Sequence, residues 1–173
     1  KGKTLGILGF GAIGQGVARR AKGFGMNIIA YDPFFNEKAA EEIGVEKADL
    51  EQVLREPDII TLHLPCTKET YHIIDSNAIN KMKTNAVLIN TARGDLVDEE
   101  ALAEALRTNR IFGAGLDVYA HEPIKESPLF ELRNVTFMPH CSANTSEAAK
   151  NMGMMAVENA YRAIKGMDNA HIL

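Results

Sequence analysis

The hexapeptide GFGAIG at residues 9–14 decides the fold of this chain. It follows the apolar run Thr4–Leu8 and precedes a stretch with apolar residues at helical spacing. A second apolar run at residues 27–31 then ends at Asp32. Strand, glycine turn, helix, strand and carboxylate in this order are typical of a βαβ unit that binds a dinucleotide. The chain is therefore predicted to open with such a unit.

Each glycine of the turn has its own predicted role. Gly9 allows the tight turn, Gly11 lets the backbone approach a pyrophosphate, and Gly14 lets the helix pack closely on the strand. The N–H groups of the first helical turn, at Ala12 and Ile13, favour the diphosphate charge together with the helix dipole. These five residues form the first part of the predicted cofactor site.

Asp32 indicates which dinucleotide is bound. It lies 18 positions after Gly14, where a carboxylate can accept hydrogen bonds from the hydroxyls of the adenosine ribose. A negative charge at this place would repel a 2′-phosphate. The sequence therefore predicts NAD rather than NADP.

Composition excludes several classes of protein. The 173 residues are 46% hydrophobic and 24% charged, with a net charge of −4, which is typical of a soluble globular domain with a sizeable core. The chain is not basic enough to indicate nucleic-acid or membrane-surface binding, and no apolar run approaches membrane-spanning length. Cys66 and Cys141 have no metal-like spacing, so we expect no metal site and two reduced, cytoplasmic thiols.

Strands and helices alternate along almost the whole chain, which favours a parallel sheet with helices on both faces. We therefore predict an α/β fold, a doubly wound parallel sheet of the Rossmann type, with residues 1–173 forming a single dinucleotide-binding domain. Further strands are predicted at 58–64, 86–90, 113–118 and 135–138. Further helices are predicted at 37–43, 50–55, 75–82, 98–109 and 144–165.

Two of these helices have clear amino-terminal signals. Asp98 can cap its helix, and Glu99 and Glu100 are well placed for the helix dipole. Asn144, with Glu147 three residues later, resembles a capping pair at the start of the last helix. That helix has an apolar stripe, and its methionines are expected to fill a core: Met152, Met154 and Met155.

One pattern in the last helix points to another class of enzyme. Tyr161 and Lys165 match the Tyr-x-x-x-Lys pair of short-chain dehydrogenases. The glycine spacing of that class differs, and here the two residues end the final helix. We assign Tyr161 to packing and Lys165 to the carboxyl-terminal helix dipole.

Ligands of such sheets bind beyond the carboxyl ends of the strands, and three side chains expected there are suited to chemistry. His140 fits a proton shuttle, because imidazole is the side chain suited to accepting and releasing a proton under physiological conditions. Glu122 can hydrogen-bond it and fix its tautomer, while Arg93 can clamp a carboxylate through two parallel bonds. Such a set fits hydride transfer with a cofactor. His63 either faces the cleft or is packed by hydrogen bonds, and it is left out of the catalytic set.

Several motifs resemble those of the D-2-hydroxyacid dehydrogenases, and together they extend over almost the whole chain. The resemblance implies that Arg93 binds the carboxylate and carbonyl of the substrate. It also implies that His140 is the general acid/base and that Glu122 pairs with it. The motifs are residues 9–14, 63–67 with Thr70, 90–98, 115–118, 122–123 and 139–140.

The resemblance also implies the rest of the cofactor site. Asp117 would orient the nicotinamide carboxamide. The other expected cofactor contacts lie in loops that follow the strands: Leu64, Pro65, Thr91, Ala92 and Ser142. Cys141 departs from the pattern, because relatives usually carry an aliphatic residue there. This change is expected to alter nicotinamide packing without disabling the reaction.

Members of this family also have a substrate-binding domain, formed mainly from a segment ahead of the dinucleotide domain, which this sequence does not contain. We therefore expect the chain to bind NAD but to turn over little alone. The resemblance implies a small 2-hydroxy or 2-keto acid as substrate and a homodimer.

Two alternatives stay open at this point. Transcriptional corepressors that sense NAD(H) resemble these dehydrogenases and retain the same residues. Phosphite dehydrogenases share the fold, whereas formate enzymes carry a glutamine at the position of Glu122, which disfavours formate.

Overall fold

The computed structural model describes residues 1–167 and contains a seven-stranded sheet in which every paired strand is parallel. The strands are β1 (Thr4–Leu8), β2 (Asn27–Tyr31), β3 (Glu46–Lys47), β4 (Ile59–Leu62), β5 (Val87–Asn90), β6 (Gly113–Leu116) and β7 (Val135–Phe137). Their order in the sheet, β3-β2-β1-β4-β5-β6-β7, places β1 inside the sheet, and the chain winds outward from it in both directions. This confirms the predicted doubly wound α/β fold.

Within residues 1–167, six α-helices and two short 3₁₀ helices connect and follow these strands. The α-helices are α1 (Ala12–Gly23), α2 (Glu37–Ile43), α3 (Leu50–Arg55), α4 (Ser76–Lys81), α5 (Glu99–Arg107) and α6 (Ser146–Ile164). The 3₁₀ helices are Gly94–Leu96 and Pro128–Glu131. Within residues 1–167, no helix is both long and apolar enough to cross a membrane.

The described chain divides into two compact units, and the division in the sequence falls between Pro139 and His140. The first unit holds the whole sheet and two hydrophobic cores, one on each face. Alternation along β1 shows this division, because Leu5 and Ile7 belong to one core and Leu8 belongs to the other. The first core packs α1 and α2 on β1 and β2, and the second packs α3, α4 and α5 on the opposite face.

The predicted strands and helices are confirmed to within about two residues at their ends, but β3 was missed. It consists only of Glu46 and Lys47, both exposed, which pair with Ile29 and Ala30 at the sheet edge. Charged residues are disfavoured in strands, so no local signal marks this one. Its pairing depends on β2, which lies far away in the sequence.

The amino-terminal caps are partly as predicted. Asp98 accepts hydrogen bonds from the N–H groups of Glu100 and Ala101, both at 3.1 Å, which confirms it as the cap of α5. The cap of α6 is Thr145, whose Oγ1 accepts the N–H of Ala148 at 3.1 Å. The prediction of Asn144 is wrong by one residue, because its N–H closes a turn onto the carbonyl of Cys141.

The second unit contains α6, and its apolar stripe is not buried. Met152, Met154 and Met155 are 57%, 62% and 47% exposed, and no residue of α6 is buried. The prediction that these methionines fill a core is therefore wrong for the described residues. The physical reason is that, within residues 140–167, this unit has no other helix or strand to cover the stripe.

Candidate active site

The turn after β1 is formed so tightly that two of its glycines cannot carry a side chain. Gly9 has a φ of +99°, and a Cβ there would lie 2.5 Å from the carbonyl carbon of His63. A Cβ on Gly14 would lie 2.0 Å from the carbonyl oxygen of Gly9. The loop after β4 and the first turn of α1 therefore both press against this turn.

The amino terminus of α1 fits a diphosphate. Its N-cap is Gly11, where a Cβ would meet no atom within 4 Å, so space is open beside the backbone. Because Gly11 has no side chain, none can bind the free N–H groups of the first turn, and that turn contains no acidic residue. The first-turn N–H groups at Ala12 and Ile13, together with the helix dipole, therefore provide a favourable place for an anion.

Asp32 lies beside the same turn, as its position after β2 predicts. One carboxylate oxygen accepts the N–H of Phe10 at 2.6 Å, and the other accepts the N–H of Phe34 at 2.8 Å. These two bonds fix the orientation of the carboxylate, and each oxygen keeps capacity for a further donor such as a ribose hydroxyl. The turn at residues 9–14 and Asp32 thus fit the diphosphate and the ribose of a dinucleotide that has no 2′-phosphate.

The contacts of His63, in the loop after β4, distinguish between the two roles that the sequence left open. Its N–H bonds to the carbonyl of Leu8 at 2.6 Å, and its Nε2 lies 3.0 Å from Oγ1 of Thr61. Burial lowers the pKa of His63 to about 4, so the ring is neutral at pH 7. The structure favours the packing alternative. The side chain of Leu64 belongs to the core, whereas Pro65 is exposed.

The loop after β5 is shaped by a buried amide. Asn90 is 1% exposed, its Nδ2 donates to the carbonyl of Arg93 at 2.8 Å, and its Oδ1 accepts the N–H of Ala92 at 3.1 Å. Thr91 and Arg93 are exposed beyond the end of the strand, and the guanidinium of Arg93 donates to the carbonyl of Ala92 at 2.6 Å. The loop thereby presents a cation at the carboxyl edge of the sheet.

The loop after β6 carries Asp117 and Glu122. Asp117 is 2% exposed, and its N–H bonds to the carbonyl of Asn90 at 3.0 Å. The Oε1 of Glu122 accepts the N–H of Tyr119 at 3.0 Å, and a cis peptide bond joins Glu122 to Pro123. The hydrogen bond between residues 119 and 122 turns the loop back on itself, and Glu122 is exposed.

The loops that carry Arg93 and Glu122 are in direct contact. A Cβ on Gly94 would lie 1.9 Å from the carbonyl carbon of Tyr119, so the two backbones approach as closely as glycine permits. The structure thus brings the regions of two of the three predicted catalytic residues together.

The third predicted residue, His140, is the first residue of the second compact unit. Its φ is +52°, in the left-handed region that residues with a Cβ rarely adopt and that recurs at functional sites. Ser142 is exposed in the turn before α6. The pairing of Glu122 with His140 stays a prediction.

Sequence reasoning missed two residues of this region. Asn90 is an amide at the end of an otherwise apolar strand, and that position is a usable signal for a residue that shapes the following loop. Glu99 was assigned only to the helix dipole, but its Oε1 accepts the N–H of Ala120 at 2.9 Å. No local signal marks that contact, because 21 residues separate the two. Among residues 1–167, no group of three His, Cys, Asp or Glu side chains is arranged to hold a metal ion.

Comparison with known proteins gives the family. The sequence model of the "D-isomer specific 2-hydroxyacid dehydrogenase, NAD binding domain" matches residues 1–142. The chain belongs to this family. NAD is accordingly its cofactor, and the resemblance found in the motifs is confirmed.

Two curated relatives and one solved structure illustrate the match. A glyoxylate reductase of Thermococcus litoralis is 51% identical over 166 residues, which cover 96% of this chain and 50% of the relative. A D-3-phosphoglycerate dehydrogenase of Methanocaldococcus jannaschii is 48% identical over 166 residues, covering 95% of this chain and 32% of the relative. The D-lactate dehydrogenase of Lactobacillus jensenii, solved with NAD+, has a TM-score of 0.88 and 34% identity, covering 99% of this chain and 55% of that one. The chain thus spans half or less of the length of these two curated relatives.

Proposed function

We propose that the full-length protein containing this chain transfers a hydride between NAD(H) and a small 2-keto acid or D-2-hydroxy acid. The observation that carries the proposal is the contact between the Arg93 loop and the Glu122 loop at the carboxyl edge of an NAD-binding sheet. The relatives support the substrate class, since they are named as reductases or dehydrogenases of such acids. Neither a corepressor nor a phosphite dehydrogenase is favoured by them.

In this proposal the chain holds NAD at three places. The turn at residues 9–14 binds the diphosphate through N–H groups, and Asp32 binds the adenosine ribose. Asp117 orients the nicotinamide carboxamide. The remaining cofactor contacts are Leu64, Pro65, Thr91, Ala92 and Ser142. Bound NAD(H) supplies or accepts the hydride.

Arg93 is proposed to bind the substrate. A guanidinium is a planar cation that offers two parallel N–H groups to a carboxylate. The same charge polarises the neighbouring carbonyl and stabilises the negative charge that develops on its oxygen during reduction. The hydrogen bonds of Asn90 to the Arg93 loop keep this cation in place.

His140 is proposed to move the proton. It donates a proton to the carbonyl oxygen in reduction and takes it from the hydroxyl in oxidation. Glu122 would stabilise the protonated imidazole and select its tautomer. One oxygen of Glu122 accepts the Tyr119 N–H, and a carboxylate retains acceptor capacity for the imidazole as well.

We further propose that residues 1–173 act as one dinucleotide-binding domain of a cytoplasmic homodimer. The uncovered apolar stripe of α6 supports a dimer, because apolar stripes of this kind are usually buried. Analytical ultracentrifugation of the full-length protein measures the assembly state directly.

Turnover by the full-length protein tests the main proposal. NADH absorbance is followed with glyoxylate, pyruvate and other small 2-keto acids, and we expect at least one to be reduced. His140→Ala should abolish turnover while the dissociation constant for NADH, measured by titration, stays unchanged. Full turnover by His140→Ala would contradict the assignment.

A further inference from the structure

The two acidic residues at the start of α5 differ in what they contact. Glu99 is half-buried, and its Oε1 accepts the N–H of Ala120 at 2.9 Å. Glu100 is exposed, and within residues 1–167 its carboxylate makes no hydrogen bond or ion pair. Both lie in the first turn of α5, where a negative charge interacts favourably with the helix dipole. Of these two residues, Glu99 is the one that hydrogen-bonds to the loop after β6.

That hydrogen bond is made at the point where several segments converge. The consecutive N–H groups of Tyr119 and Ala120 donate to two different carboxylates, those of Glu122 and Glu99. The carbonyl of Tyr119 lies against Gly94, next to Arg93. The hydroxyl of Tyr119 donates to the carbonyl of Met138 at 2.8 Å, at the end of the sheet. Three hydrogen bonds and one close backbone contact therefore fix the positions of residues 119 and 120.

We propose that Glu99 is a positioning residue of the active site, holding the Glu122 loop against the Arg93 loop through the Ala120 N–H. The inference rests on the proposed function, because it concerns the geometry of the same site. In this proposal Glu99 acts through the Ala120 N–H and not by direct contact with substrate or cofactor. Its effect follows from the steep dependence of catalysis on geometry, in which a displacement of about 1 Å costs about 100-fold in rate.

A dipole role and a positioning role predict opposite results for two conservative variants. Glu99→Gln keeps the length of the side chain and an oxygen acceptor but loses the charge. Glu99→Asp keeps the charge but withdraws the carboxylate by one methylene group. If Glu99 positions the loop, Glu99→Gln retains kcat and Glu99→Asp loses it.

The test compares these variants with the matched control Glu100→Asp in the full-length protein. We expect kcat of Glu99→Asp to fall by about tenfold or more, with the dissociation constant for NADH unchanged. Glu99→Gln and Glu100→Asp should stay within about twofold of the wild type. Equal kcat values for Glu99→Asp and Glu100→Asp would overturn the inference, as would a larger loss in Glu99→Gln than in Glu99→Asp.

Hydrogen exchange of the Ala120 amide gives a second measurement that needs no turnover. Glu99→Asp should speed this exchange, whereas Glu99→Gln and Glu100→Asp should leave it unchanged. If the wild-type protein reduces no 2-keto acid, the proposed function fails, and amide exchange alone still decides the contact. If the wild type turns over but Glu99→Asp has wild-type kcat and exchange, only the positioning role fails.

Discussion

Replacing Asn90 by alanine removes the side chain that shapes the loop after β5. The amide is 1% exposed and makes two hydrogen bonds, to the carbonyl of Arg93 and from the N–H of Ala92. Both backbone partners are partly buried, so they lose their bonds without full access to water. The variant therefore leaves two polar groups poorly satisfied and frees the segment that carries Arg93.

The magnitude follows from these two bonds. Each contributes about 1 kcal/mol net, and burying an unsatisfied partner adds to the loss, so we expect the free energy of unfolding to fall by about 2–3 kcal/mol. For a chain of this length, each 1 kcal/mol corresponds to about 2–4 °C in Tm, which gives a fall of about 4–12 °C.

Thermal unfolding of the chain measures this change, with Asn77→Ala as the control. Asn77 is exposed on α4, and its replacement should change the free energy of unfolding by less than about 0.5 kcal/mol. Equal stability of Asn90→Ala and Asn77→Ala would show that the two hydrogen bonds of Asn90 do not stabilise the loop.

Three further predictions concern Asp32, Gly9 and His63. Asp32→Ser should lower the preference for NAD+ over NADP+ by about tenfold or more, since the charge that repels a 2′-phosphate is lost; titration with both cofactors measures this, and an unchanged ratio contradicts it. Gly9→Ala should destabilise the chain by about 2–5 kcal/mol in urea unfolding, because the added Cβ meets backbone at 2.5 Å in a residue with positive φ. By contrast, Gly23→Ala, where a Cβ meets nothing within 4 Å, should be neutral or stabilising. Burial lowers the pKa of His63 to about 4, so between pH 6.5 and pH 4 the unfolded chain binds a proton at this ring more readily than the folded chain does. The stabilising contribution of the neutral ring is therefore fully present above pH 6.5 and is lost as the pH falls towards 4. His63→Gln should therefore lose less stability than the wild type between pH 7 and pH 5, and parallel pH profiles would contradict the assignment.

The parts of the fold that could be predicted are those with a local cause. Apolar runs such as residues 86–90 form buried parallel strands, and a carboxylate before a helix, such as Asp98, becomes its cap. The glycine turn and Asp32 could be predicted together because their spacing reflects one βαβ unit. Such features depend on a few neighbouring residues, which the sequence shows directly.

The parts that could not be predicted depend on contacts between distant segments. The strand at Glu46–Lys47 exists only because β2 offers an edge, and the bond from Ala120 to Glu99 exists only because two loops converge. For α6 the apolar periodicity correctly predicted a helix, but the prediction that its apolar stripe fills a core was wrong, because the stripe is exposed. Periodicity identifies a helix face but not what covers it.

Transfer of deuterium from NADH to the product shows directly whether the full-length protein reduces a 2-keto acid by hydride transfer. The full-length protein is given NADH deuterated at both C4 positions, together with a small 2-keto acid, and the hydroxy acid product is analysed by mass spectrometry. We expect one deuterium at carbon 2 of the product, on the carbon that carried the carbonyl oxygen. A reduced product that contains no deuterium, or no reduced product from any 2-keto acid, would contradict it.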